Sequence, residues 1–168
     1  MRPTITVGLL LAGAAGCRAA APAAPTLGAD ARRAIADTVQ AVSERMLQTM
    51  AGRNPDSVLA FYGKRTAFIG DGAIGDWEAI VANVRPRYAT YAKVDCRWGP
   101  GFRVDVLGAE AAVVTATLGC DKTDTGGKVT REDLARTEVL AIEGGRWRIV
   151  AVHESAQPGP RKKLAASQ

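Results

Sequence analysis

The run Gly144-Gly145-Arg146-Trp147-Arg148-Ile149-Val150-Ala151-Val152-His153-Glu154-Ser155 joins a glycine pair, which suits a tight turn, to a segment rich in β-branched and aromatic side chains, which suits a strand. With a period of two, Trp147, Ile149, Ala151, His153 and Ser155 share one face of that strand, an apolar set with a polar end. Working backwards, Val129 to Ile142 reads as the preceding strand. Asp124-Thr125-Gly126-Gly127 is a turn, Ala111 to Cys120 another strand, and Gly108-Ala109-Glu110 a further turn. Val94 to Trp98 and Phe102 to Leu107 complete the set as one long strand bent at Gly99-Pro100-Gly101, because glycine and proline mark bends and bulges. The second half of the chain is therefore expected to be a four-stranded antiparallel meander.

Upstream the period changes. Ile35, Val39, Val42, Met46, Leu47 and Met50 recur at the spacing of one helix face, predicting an amphipathic helix from about Asp30 to Ala51 that stops at Gly52. Asn54-Pro55 opens a second helix, since Asn accepts from orphan amides and Pro suits the first turn; it is expected to carry Val58, Leu59, Phe61 and Tyr62. A small hairpin, Thr66 to Gly75 around Asp71-Gly72, precedes a third helix after Asp76, in which Pro86 predicts a kink or a restart. Three helices followed by a curved antiparallel sheet make an α+β domain with the helices on one sheet face.

The ends have a different character. Arg2 precedes an uncharged run, Ile5 to Gly16, too short for a membrane span and suited to an export signal. Ala14-Ala15-Gly16-Cys17 resembles the lipobox of bacterial lipoproteins, which implies cleavage before Cys17 and its acylation; a plain signal peptide cut between Ala19 and Ala24 is the alternative. The chain thus divides into a signal peptide (1–16), a lipidated Cys17 with an Ala/Pro-rich tether (17–29), one domain (30–157) and a basic tail (158–168). The expected location is the cell envelope, facing the periplasm or exterior, with membrane lipid as a partner through Cys17.

Charge and cysteine content refine this picture. The 22 Lys and Arg residues include Arg2, Arg18, Arg161, Lys162 and Lys163 outside the domain, which leaves as many cations as the 17 Asp and Glu, all of them inside it. A balanced domain lacks the electrostatic footprint of a nucleic-acid binder. Of the 3 cysteines, lipidation of Cys17 leaves Cys96 and Cys120 as a candidate disulfide; if the turn lies near Ala109, the bend at Gly99-Pro100-Gly101 brings the two opposite each other.

Three stretches resemble the nuclear transport factor 2-like superfamily and, within it, the SnoaL-like group. These are Asn54-Pro55-Asp56-Ser57-Val58-Leu59-Ala60-Phe61-Tyr62, Gly75-Asp76-Trp77-Glu78-Ala79-Ile80, and the Gly144 to Ser155 run. The resemblance implies a cone-shaped fold with a pocket between helices and sheet, and dimers through the outer sheet face. Ketosteroid isomerases of this superfamily use an Asp at the end of the first strand and a Tyr on the first helix; the matching positions here are Gly70 and Met46, and Asp71 lies one residue on. Steroid isomerase chemistry is therefore not expected.

His153 is the only histidine and the candidate acid or base, with a hydrogen-bonded structural role as the alternative. Tyr62, Trp77, Trp147 and Ser155 are candidate pocket residues, joined by Arg136 and Glu138 if their strand face turns inward. Most charges on that strand and on the bent one, Arg97, Arg103 and Asp105 among them, are expected to face solvent. A single histidine gives no support for a metal site, and no cofactor is expected. The function expected from these residues is a membrane-tethered module that binds a small apolar molecule or a protein partner, with a homodimer through the sheet. The alternative is an isomerase, cyclase or hydrolase using His153.

Overall fold

A computed structural model describes residues 26–70 and 72–156. The leader, Cys17, most of the tether, Asp71 and the basic tail lie outside the described residues. Helix α1 (Ala29–Ala51) is followed by α2 (Pro55–Leu59), β1 (Tyr62–Gly70), β2 (Ala73–Gly75), α3 (Trp77–Thr90), β3 (Tyr91–Trp98), β4 (Arg103–Gly108), β5 (Ala111–Asp124), β6 (Val129–Glu143) and β7 (Arg146–Ala156).

The caps explain where the short helices begin. Asn54 Oδ1 accepts from the amides of Asp56 and Ser57 at 3.0 and 3.1 Å, and Asp76 Oδ1 accepts from the Ala79 amide at 3.0 Å. Helix α2 stops at Leu59, so Tyr62 opens β1 and is not a helix residue as expected; a helix of 5 residues has too few internal hydrogen bonds to run on. Pro86 sits inside α3, which continues past it to Thr90.

The strands form one sheet in the order β2-β1-β7-β6-β5-β3, with β4 also paired to β5. The expected all-antiparallel sheet is corrected to a mixed one, because β1 runs parallel to β7. Its start is fixed to β7 by two contacts. The Ile149 amide donates to the Phe61 carbonyl at 2.9 Å, and the buried Thr66 hydroxyl lies 2.6 and 2.7 Å from the carbonyls of Gly63 and Ile149. The bend between β3 and β4 depends on Gly99, whose amide donates to Thr117 O at 2.7 Å and whose Cβ, if present, would collide with the Thr117 hydroxyl.

Alternation sets the two sheet faces. On β5, Ala112, Val114, Ala116, Leu118 and Cys120 are buried, and on β6 Arg136, Glu138 and Leu140 are. The inner face packs against Val39, Val42, Met46 and Leu47 of α1, together with Ile149 and Val152 of β7. Cys96 and Cys120 stand opposite each other on β3 and β5 and are joined by a disulfide.

On β7 the alternation breaks. Leu140 pairs with Ile149 but Val139 pairs with Ala151, so Val150 is an extra residue, and the buried positions move from Ile149 to Val152. A bulge of this kind inverts the facing of every later residue. The expected inward orientation of His153 and Ser155 is therefore corrected: both are exposed on the outer face, and Glu154 points where His153 was expected.

Candidate functional site

The interior between α3, β1, β6 and β7 holds a cluster built around Arg136, whose side chain is 6 % exposed. Arg136 Nε donates to Glu138 Oε1 at 2.6 Å, Nη1 donates to Glu154, and Nη2 donates to the Tyr62 hydroxyl at 3.0 Å. Register explains the assembly. Arg136 stands opposite Glu154 on β7 and Ala116 on β5, so a small neighbour on one side leaves room for the guanidinium and an acidic one on the other pairs with it. Glu138 lies between Val114 and Val152, and is 0 % exposed.

Burial by itself would lower the Arg136 pKa, but Tyr62 and Glu138, acting through charge and hydrogen bonds, raise it overall, so the guanidinium stays charged. Tyr88, from α3, lies in the same electrostatic neighbourhood: burial pushes its hydroxyl well above the ordinary tyrosine value, Tyr62 and Tyr91 add to that, and Arg136 opposes it. Two polar atoms here lack a protein partner, Glu138 Oε2 and the Tyr88 hydroxyl. In a folded interior such atoms normally have one.

Tyr62 also lines an open concavity of about 400 Å³ with Leu59, Trp77, Lys64, Arg85 and Arg148 among its walls. Lys64 Nζ lies 4.1 Å from the centre of the Trp77 ring, and Arg85 pairs with Asp56 at 2.8 Å on the rim. A second concavity, of about 320 Å³, lies at the strand bend beside Trp98 and Leu134, with Arg97 and Arg131 on its rim. Elsewhere on the inner face, Lys122 Nζ meets Glu132 Oε2 at 2.5 Å beneath the Tyr91 ring, next to the disulfide.

Of the residues expected at the site, the structure brings Tyr62, Arg136 and Glu138 into hydrogen-bonded contact and places Trp77 beside Tyr62. It does not bring in the others. Trp147 packs on the hydrophobic core at the opposite end of β7, in register with Ile142, while His153 and Ser155 face outward. Arg136 and Glu138 are also exceptions to the expected solvent-facing charges, whereas Arg97 and Arg103 are exposed. Glu154 was missed because its inward turn depends on the bulge. Among the described residues no group of three or more His, Cys, Asp or Glu is placed to hold a metal ion.

A curved mixed sheet with a long helix across it, closing over a polar interior, is the nuclear transport factor 2-like fold. Solved structures share it. The association domain of C. elegans CaMKII superimposes with a TM-score of 0.63 at 18 % identity, over 75 % of this chain and 98 % of that one. A nuclear transport factor 2-like superfamily protein from Salmonella enterica gives 0.62 at 19 %, over 83 % and 98 %. A ketosteroid isomerase-like protein from Erwinia carotovora gives 0.59 at 17 %, over 73 % and 96 %. The family model for the calcium/calmodulin dependent protein kinase II association domain matches residues 101–158, the part of the chain that carries Arg136, Glu138 and Glu154. No curated protein matches the chain.

Proposed function

We propose that this chain is an exported, lipid-anchored binding protein whose domain receives a small molecule at the Tyr62–Arg136–Glu138 cluster. Cys17 carries the lipid, and the domain faces the periplasm or exterior. The observation that carries binding over chemistry is that Arg136 is engaged on all three of its nitrogens while His153, the residue suited to proton transfer near neutrality, lies on the other sheet face. The concavity beside Tyr62, where Leu59 and Trp77 stand among charged walls, gives room for the body of a ligand.

Two copies pair through the outer sheet face. Its central row, Thr115, Thr137 and His153, holds no carboxylate, lysine or arginine, and one fold relative is by name an association domain. Native mass spectrometry of the full chain purified from membranes tests the binding role. A small molecule that leaves on collisional activation is the expected result; the bare mass under the gentlest conditions contradicts it.

One observation favours a second reading, an acid–base enzyme. Glu138 Oε2 is a buried carboxylate oxygen with no partner, the kind of group that abstracts a proton from a bound substrate. Turnover of the co-purified molecule, lost in Glu138→Gln, would select this reading.

A further inference from the structure

We infer that the cluster selects a ligand with a hydrogen-bond-donating head, an ammonium above all, and rejects a carboxylate, although its most prominent charge is an arginine. The inference rests on the binding role proposed above and names the chemistry of that same site.

The cation is already matched by two carboxylates. The guanidinium is charged, and three of its five N–H groups, one each on Nε, Nη1 and Nη2, donate to Glu138, Glu154 and Tyr62. An anion approaching Arg136 meets two carboxylates held against the same cation, and like charges at such a distance repel. The carboxylate oxygen left without any partner is Glu138 Oε2, on a residue 0 % exposed. The Tyr88 hydroxyl, also buried and without a partner, can accept from a second N–H of the same head or donate to a ligand oxygen. Formally one guanidinium faces two carboxylates, so a cationic head balances the cluster where an anionic head worsens it. Tyr62 lines the concavity while its hydroxyl meets Arg136, and the rest of the ligand would lie there against Leu59 and Ala60, among Asp56, Lys64, Arg85, Glu143 and Arg148.

The test is calorimetric titration of the full chain in detergent with three probes of one shape, benzylamine, benzoate and toluene. Benzylamine is expected to bind at least roughly tenfold more tightly than benzoate, the size of one hydrogen bond to a charged group. In Glu138→Gln, which keeps the side-chain shape, that preference should fall to near parity, and Tyr88→Phe should weaken benzylamine several-fold. Benzoate binding as tightly as benzylamine or better would overturn the inference and leave the binding role standing, with Arg136 as the anchor. Toluene matching benzylamine would overturn it in favour of a purely apolar site. No binding by any of the three would overturn it as well, and the binding role would then be judged by native mass spectrometry of the co-purified molecule.

Discussion

Arg136 and Glu138, two residues apart on β6, both point into the protein and are joined by a 2.6 Å hydrogen bond between Nε and Oε1. Removing the cation strands two carboxylates in a low-dielectric interior. Arg136→Met should therefore cost roughly 3–5 kcal/mol of stability. Adding Glu138→Gln to that variant should recover part of the loss, because the second change removes one uncompensated charge. Urea unfolding of the two variants and the wild type reads both effects.

This pair shows how far the sequence could be read. Leu134 and Leu140 share the parity of Arg136 and Glu138, but the inward turn of the pair stayed open in the sequence, because charged side chains at alternate positions suit the solvent face equally well. The helix caps at Asn54 and Asp76, the turn glycines and the antiparallel succession from β3 to β7 were legible, because each is written in local chemistry. The bulge at Val150 was not. An extra residue in a strand is set by pairing with β6 and β1, and Arg146 to Ala156 reads as unbroken alternation. That single residue separates His153, which faces out, from Glu154, which reaches Arg136. The parallel pairing of β1 with β7 is likewise a tertiary contact between segments some eighty residues apart, invisible to any local pattern.

Burial raises the Tyr88 hydroxyl above its ordinary value of 10.0, so the folded state disfavours its ionised form. The unfolded chain then releases this proton first as pH rises. Stability from this group is fully present below the unfolded value and declines once pH passes about 10. Tyr88→Phe should flatten that alkaline decline. Thermal midpoints of both proteins between neutral and alkaline pH check this, and identical slopes would remove Tyr88 from the cause.

The disulfide between Cys96 and Cys120 closes a loop of 24 residues in sequence separation. Replacing both cysteines with serine should lower stability by about 3 kcal/mol, chiefly by freeing the unfolded chain. Denaturant midpoints measure the loss. Thiol labelling of denatured, unreduced protein should find neither position free.

Thr137 stands between Thr115 and His153 in the central row of the outer face. An arginine there places an unpaired charge at the middle of the proposed dimer contact, so Thr137→Arg should convert the dimer to monomer without unfolding the domain. Sedimentation equilibrium gives the masses; a wild type that sediments as monomer would contradict pairing through this face.

Cys17→Ala should abolish acylation and release the protein from the membrane fraction. The intact mass of the mature N-terminus, with or without acyl chains, decides whether the anchor exists.

The central claim is that ligand is held by Glu138 inside the cone and not by His153 outside it. The most direct measurement is the dissociation constant of the co-purified molecule for wild type, Glu138→Gln and His153→Ala. The account predicts at least a roughly tenfold loss for Glu138→Gln, the worth of one charged hydrogen bond, and no change for His153→Ala. A loss confined to His153→Ala, with Glu138→Gln binding like the wild type, would contradict it.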